Sequence, residues 1–324
     1  MNTEQTAEVL IASLEKVIKG KRDVLRLFIT AYLSGGHVLL EDVPGVGKTT
    51  LVKTFAALIE KDGRPARFKR IQCTPDLLPY DVTGVEIFNA GINTFEFMEG
   101  PVFADILLAD ELNRTPPKVQ SALLEAMAEK QVTAGTVTRR LSPFFFTAAT
   151  QNPIESLGTY PLPAAQLDRF SLCLSMGYPD EEAECALLHE QSAPSIKQPL
   201  PKPAVSIQDI AASREEQRTV FVHPALEKMI AALARTTREH SAFRLGVSPR
   251  AGLHLLRTAR AFALINGRNW VEDEDICLLA VPVLAHRCLI KTGSGSAAEL
   301  IADITEDIIR SADKKTDWTR SAGE

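Results

Sequence analysis

The strongest constraint on the fold is the stretch His37-Val38-Leu39-Leu40-Glu41-Asp42-Val43-Pro44-Gly45-Val46-Gly47-Lys48-Thr49-Thr50. An apolar run enters a turn with two glycines, then Lys-Thr, then a segment with helical periodicity. Strand, loop and helix in that order can cradle phosphate, because consecutive backbone N–H groups and a helix N-terminus face the anion if no Cβ blocks the approach. Pro44, Gly45, Val46 and Gly47 form the candidate loop, with Thr50 just behind it. Lys48 would reach the β- and γ-phosphates as a point charge, and Thr49 would offer its hydroxyl to Mg²⁺. The match to Gly-x-x-x-x-Gly-Lys-[Ser/Thr] is incomplete, since Asp42 stands at the first glycine. Alone, the loop also fits a plain turn before a helix that happens to contain Lys-Thr.

A second stretch decides between these readings. Ile106-Leu107-Leu108-Ala109 is an apolar strand that ends in Asp110-Glu111. It delivers two adjacent carboxylates to the carboxyl edge of a parallel sheet, where open α/β folds bind ligands. Asp110 would hold Mg²⁺ through water, and Glu111 would orient and activate an attacking water. Asp-Glu after an apolar run is weak evidence in isolation, since a solvated helix cap looks the same. Behind Gly47-Lys48-Thr49 it is strong.

Three further positions are candidates. Asn152, at the end of the apolar Phe144–Thr150 strand, could hold the water against the γ-phosphate, or could simply open an Asn-Pro turn. Arg169, in Gln166-Leu167-Asp168-Arg169-Phe170, could stabilise phosphoryl charge from a neighbouring subunit, or form a surface salt bridge with Asp168. Arg250 is the second residue of a helix behind Ser248-Pro249. A cation is unfavourable towards the dipole there, which favours a role outside the helix.

Along the chain, residues 4–19 and 23–33 read as helices, and Arg67–Cys73 as a strand. Gly84–Met98 and Val132–Leu141 read as inserted hairpins turning at Asn89-Ala90-Gly91 and Ala134-Gly135. Pro116 and Pro117 open a helix, and Phe170–Leu174 is the last strand. Strands apolar throughout, alternating with amphipathic helices, predict a parallel sheet covered on both faces. After Tyr178-Pro179 the signals become helical. The expected division is a nucleotide-binding core over 1–190, a proline-rich linker over 191–205, a helical lid over 206–312 and a frayed tail over 313–324. Glu181-Glu182-Ala183-Glu184 reads as a solvated helix face.

The 324 residues carry 36 Lys and Arg against 41 Asp and Glu, a net charge of −5, so no overall basic field draws nucleic acid. The hairpins hold no cluster of cations beyond Arg139-Arg140. Five cysteines without a C-x-x-C pair suggest buried reduced thiols and a cytoplasmic setting. The six histidines show no metal spacing. No apolar run approaches the ~18 residues of a membrane span, and the N-terminus is not signal-like. Phe95 and Phe97 share a side of the first hairpin, either to grip a partner or to support the insertion.

The set Asp42–Thr49, Leu108–Arg114, Ala149–Pro153, Leu167–Phe170 and Ser248–Arg250 resembles the motifs of AAA+ ATPases, in the family's order and over most of the chain. Thr74–Pro79 and Pro116–Met127 resemble the MoxR family within that group. The resemblance implies a three-layer α/β/α parallel-sheet nucleotide domain with inserted β-hairpins, plus a smaller all-α lid. It implies ATP with Mg²⁺. It makes Gly45, Gly47, Lys48 and Thr49 the phosphate loop, and Asp110 and Glu111 the metal-holding and catalytic pair. Asn152 becomes the first sensor, Arg169 the arginine finger and Arg250 the second sensor. Ile18–Lys21 would line the adenine pocket, and the hairpins would face a central pore. The resemblance also implies a homo-oligomeric ring, most often a hexamer, that remodels a protein client, commonly one with a von Willebrand factor A domain. The alternatives from other classes are a nucleic-acid-stimulated motor and a nucleotide-binding scaffold without turnover.

Overall fold

The computed structural model describes residues 1–153, 158–192, 200–311 and 318–319. Residues 193–199 of the expected linker, including Pro194 and Pro199, and most of the expected tail lie outside the described residues.

Five strands form one all-parallel sheet: β1 Val38–Glu41, β2 Phe68–Gln72, β3 Ile106–Asp110, β4 Phe146–Gln151 and β5 Leu172–Leu174. Their spatial order is β5-β1-β4-β3-β2. Alternation along the strands sends side chains to two cores. Val38, Leu40, Ile106, Leu108, Phe146 and Ala148 join one apolar cluster. Leu39, Leu107, Ala109 and Ala149 join the other. Both faces are therefore covered, as uninterrupted apolar strands require.

The first face carries α1 Thr3–Glu15, α2 Arg22–Leu33 and α3 Lys48–Leu58. Phe28, Tyr32, Phe55 and Phe146 meet edge to face on it, with ring centroids 4.9–6.0 Å apart. The second face carries α4 Pro117–Glu129, with Pro117 at its first position. The first helix ends at Glu15, short of residue 19, and residues 16–20 form two turns about a bend at residue 18.

The helical part consists of α5 Ile207–Thr219, α6 Pro224–Glu239, α7 Pro249–Ile265, α8 Asp273–Leu284 and α9 Ala297–Ser311. Ser248 caps α7, accepting from the Ala251 N–H at 3.2 Å. Ser296 and Glu299 form a reciprocal cap before α9. The apolar cluster under the sheet continues without a break into these helices, through Leu226, Leu255, Ile276 and Ile301. Val205 and Ser206 extend this junction by pairing with Ile59 and Glu60, short strands that carry too little pattern to show in the sequence. The Glu181, Glu182 and Glu184 side chains are exposed, as a solvated face requires.

Both hairpins are present, as Gly84–Asn89 with Thr94–Glu99 and Gln131–Ala134 with Val137–Arg140. They touch through Arg139, whose guanidinium lies 3.9 Å from the Phe97 ring centroid and 3.3 Å from Glu86. Phe97 also stacks edge-on against Phe103, so it supports the insertion. Phe95 is 69% exposed and only touches Phe88. Two cysteines depart from the expected burial: Cys185 and Cys277 are exposed, because each falls on the outer face of its helix. Among the described residues no helix is long and apolar enough to cross a membrane.

Two histidines tie the lower edge of the sheet to its neighbours, and a third, His286, is held with both ring nitrogens buried and unpartnered among the described residues. The Thr147 N–H donates to His37 Nδ1 at 3.0 Å, which leaves Nε2–H to donate to the Met127 carbonyl at 3.2 Å. His254 Nδ1 lies 3.1 Å from the Ser171 hydroxyl. Burial pushes His37 down to about 4 and His254 down to about 3, and holds His286 well below its ordinary value. Unfolded imidazoles titrate near ~6.5, so below that pH the unfolded chain takes up protons that the fold refuses. The stability contributed by the neutral rings is complete above that value and is lost as pH falls towards 4. Each ring steepens the loss by up to about 1.4 kcal/mol per pH unit. Urea midpoints should therefore drop between pH 7 and pH 5, with a shallower drop in His254→Gln; equal slopes would exclude the assignment.

Candidate active site

The turn after β1 is built from backbone conformations that favour glycine. Gly45 and Gly47 have φ of +89° and +88°, and a Cβ at Gly45 would meet nothing within 4 Å. Conformation, not crowding, selects glycine there. Gly47 is followed directly by Lys48, the first residue of α3, and the first turn of α3 holds no acidic residue. The N-terminal dipole and its free N–H groups therefore face the loop uncompensated. Lys48 Nζ donates to the carbonyls of Asp42 at 2.8 Å and Val43 at 3.2 Å. Burial lowers its affinity for a proton, while Asp42, Asp110 and Glu111 oppose that shift.

Asp42 occupies the position of the missing first glycine, and its carboxylate is buried. It accepts from Ser175 Oγ at 2.7 Å, Met176 N–H at 2.6 Å and Gly177 N–H at 3.0 Å. The residue thus ties the start of the phosphate loop to the segment leaving β5. The next residue, Tyr178, accepts from Lys21 Nζ through its carbonyl at 2.6 Å. The side chain of Ile18 lies beside Gly47. Residues 18–21, the loop and residues 175–178 are held together by these contacts.

The carboxylates come from the adjacent strand end. Asp110 closes β3, and Thr150 of β4 stands beside it. Thr150 Oγ1 donates to Asp110 Oδ1 at 2.6 Å and accepts the Glu111 N–H at 2.8 Å. One hydroxyl therefore positions both acidic residues. Asp110 Oδ2 accepts from Arg70 Nη2 at 2.7 Å and Nε at 3.1 Å. Glu111 has φ 59° and ψ 49°, a left-handed conformation that costs a residue with a side chain roughly 1–3 kcal/mol. Its carboxylate accepts from Gln72 Nε2 at 2.8 Å and lies 3.4 Å from Arg114 Nε.

A cleft of about 360 Å³ runs between these groups, lined by Pro44, Gly45, Gly47, Lys48, Thr49, Thr50, Arg70, Asp110, Glu111, Thr150 and Asn152. A larger groove of about 690 Å³ between α6 and α9 carries Lys228, Asp303 and Asp307 but no glycine loop, and apolar side chains supply much of its lining. Val46 is half-buried and packs against the apolar core instead of lining the cleft. Arg169 and Arg250 also lie outside it: Arg169 is half-buried and Arg250 exposed. Arg169 forms no ion pair with Asp168, contrary to the salt-bridge alternative. Asp168 instead accepts from the Ser248 hydroxyl at 3.0 Å and from Arg287 Nε at 3.0 Å. The buried Arg287 also donates to the carbonyls of Val283 and Phe170. Asp168 thereby joins the Arg169 segment to the cap of the helix that carries Arg250.

Four polar residues escaped the sequence reading. Asp42 was visible as a departure from pattern, but its partners lie more than 130 residues away. Arg70 and Gln72 sit at alternate positions of β2 and signalled only an amphipathic strand. Thr150 looked like one more β-branched strand residue. Asp42→Ala should lower unfolding stability by about 2–3 kcal/mol by orphaning buried donors. It should also weaken nucleotide binding; urea titration and calorimetry would show both, and an unchanged ATP affinity would refute the tie to the loop.

The comparisons with known proteins agree with this geometry. Residues 37–172 match the model of the ATPase family associated with various cellular activities (AAA), and residues 235–308 match the AAA lid domain. The chain is 46% identical to the uncharacterized protein YeaC of Bacillus subtilis (strain 168) over 282 residues, 86% of each protein. It is 39% identical to chaperone MoxR1 of Mycobacterium tuberculosis (strain ATCC 25618 / H37Rv) over 308 residues, 92% of this chain and 79% of the relative. A crystal structure of a protein from Cytophaga hutchinsonii ATCC 33406 superposes with a TM-score of 0.84 at 38% identity, covering 96% of this chain and 95% of that one. With its parallel sheet, phosphate loop, strand-end carboxylates and helical lid, this chain belongs to the MoxR family of AAA+ ATPases.

Proposed function

We propose that the cleft hydrolyses ATP to ADP and phosphate with Mg²⁺, and that it does so within a homo-oligomeric ring. The observation that carries this reading is the convergence of Lys48, Thr49, Asp110, Glu111 and Asn152 on one cleft from three parallel strand ends. The Thr49 hydroxyl and Asp110 carboxylate are hard oxygen donors of the kind Mg²⁺ takes, and they would hold it. Held there, Mg²⁺ would supply positive charge to offset the negative charge of the phosphates. Gly45, Gly47 and the α3 N-terminus receive the phosphates, and Lys48 exchanges its loop carbonyls for phosphate oxygens. Glu111 accepts a proton from the attacking water, which Asn152 orients towards the γ-phosphorus. Hydrolysis as a proton-transfer problem suits Glu111, whose backbone N–H is held by Thr150 and whose carboxylate accepts from Gln72.

Arg169 and Arg250 lie outside the cleft of a single chain, which supports their acting on a neighbour's nucleotide in a ring. Six subunits is the number the family resemblance implies. The remodelling of a protein client, the partner with a von Willebrand factor A domain and the cytoplasmic setting rest on kinship, including the chaperone name of the mycobacterial relative. Phe95, exposed at the first hairpin, is a surface on which a client could be held. Engagement of Arg139 by Phe97 and Glu86 removes one of two hairpin cations from any role with DNA.

Glu111→Gln should bind ATP with little change and lose about 10²–10⁴ in kcat, the usual scale for a general base. Retained turnover would remove Glu111 from that role. Lys48→Ala should lose at least about tenfold in ATP affinity, given the strength of charge-assisted hydrogen bonds. Arg169→Ala alone should be nearly inactive, yet mixing it with Glu111→Gln should restore part of the phosphate release, because some mixed interfaces regain one intact site. No recovery despite demonstrated co-assembly would rule out action across subunits.

A further inference from the structure

A second charged cleft lies at the edge of the sheet opposite the phosphate loop. Ser34 and Gly35 line it just before β1 begins, whereas the phosphate loop follows the other end of β1. Its volume is about 420 Å³, within the size range of small-ligand sites. Five cations line it, Lys130, Arg214, Arg218, Arg257 and Arg260, and no carboxylate does. Lys130 comes from the nucleotide-binding part and the four arginines from the lid, so the cleft spans both.

Structural duties account for only part of this cluster. Arg214 donates to the carbonyls of Tyr32 at 3.0 Å and Pro143 at 3.3 Å, and lies 5.0 Å and 5.3 Å from the rings of Tyr32 and Phe144. It fastens the lid to the lower edge of the sheet, but its Nε is buried with no hydrogen-bond partner. Arg218 pairs with Glu215 at 3.1 Å on the surface. Lys130 has only a long contact, 3.5 Å, to the Pro143 carbonyl. Arg257 and Arg260 are three residues apart on α7, and so share a face. Among the described residues Lys130, Arg214, Arg257 and Arg260 form no ion pair, and the Arg260 Nε is also buried without a partner. Burial lowers the proton affinity of Lys130 and Arg214, and the charge of Arg214 lowers that of Lys130 further. Uncompensated like charges held together in a concave, partly desolvated space repel one another, and an anion relieves that repulsion.

We propose that this cleft binds a small anion bearing two or more phosphate groups, at a site separate from the nucleotide cleft. Guanidinium forks match phosphate oxygens two at a time, and a cluster of four unpaired cations suits more than one negative charge. The concave shape and small volume of about 420 Å³ fit a small molecule better than a strand of nucleic acid, which needs an extended groove.

Inorganic pyrophosphate is the probe, titrated calorimetrically into the full chain carrying Lys48→Ala, so that the phosphate loop contributes least. The reading does not depend on ATP turnover. Adding Arg257→Gln and Arg260→Gln should weaken pyrophosphate binding at least about tenfold, and raising the salt should weaken it steeply in the parent alone. Without ligand, the added substitutions should leave the melting temperature unchanged or raise it, since they remove repulsion; a purely structural pair of arginines would lower it. Absence of pyrophosphate binding, or equal affinity with and without the two arginines, would overturn the proposal. Binding of a single-stranded oligonucleotide in place of pyrophosphate, lost with the same two substitutions, would overturn it in favour of a nucleic-acid surface.

Discussion

Parallel pairing of β1, β4 and β3 is the constraint on which the site depends. The register sets Leu40 beside Thr150 and Ala149 beside Ala109, so the three strands end at nearly the same height. Asp42 and the phosphate loop leave the first, Gln151-Asn152 the second and Asp110-Glu111 the third. A slip of two residues would keep both apolar faces but would separate Thr150 from Asp110. The alternation of side chains between two buried cores holds this register, and that makes the sheet's packing and the alignment of its polar ends one property.

Polar groups at this edge are satisfied in a chain. Thr150 holds Asp110 and Glu111, Arg70 neutralises Asp110, and Gln72 steadies Glu111. Each group is preorganised by a neighbour on a strand and not by a flexible loop, which would limit reorganisation during the proposed phosphoryl transfer. Asp42 does the same for the phosphate loop. Its three donors come from the segment after β5, so closing the sheet with its last strand also sets the loop's first residue. Where the motif has its first glycine, this chain therefore has a buried carboxylate that anchors the loop.

The lid is attached to the lower edge of the sheet by arginines with different tasks. Arg287 enters the interior to reach Asp168 and the Phe170 carbonyl, near the segment that carries Arg169. Arg214 reaches the Tyr32 carbonyl at the end of the helix that precedes β1. A buried guanidinium with fixed carbonyl partners resists displacement, because moving it would leave both charge and carbonyls unsatisfied. The continuous apolar cluster adds to these ties, so motion of the lid is coupled to the sheet that bears the site.

Local chemistry made much of this legible in advance. Apolar strands, Gly45 and Gly47 before a helix, Asp110-Glu111 after a strand, the hairpin turns and the Ser248 and Ser296 caps all depend on neighbours within a few residues, so the sequence by itself determined them. Spacing and composition could not show which distant side chains meet. Thr150 between two acids, Arg70 on Asp110, the three donors to Asp42, and the gathering of Lys130 with Arg257 and Arg260 join residues 39 to 135 positions apart. Such pairings follow from strand order and register, which bring remote positions within hydrogen-bond distance and set the burial that makes each contact matter. The tertiary structure alone decided them.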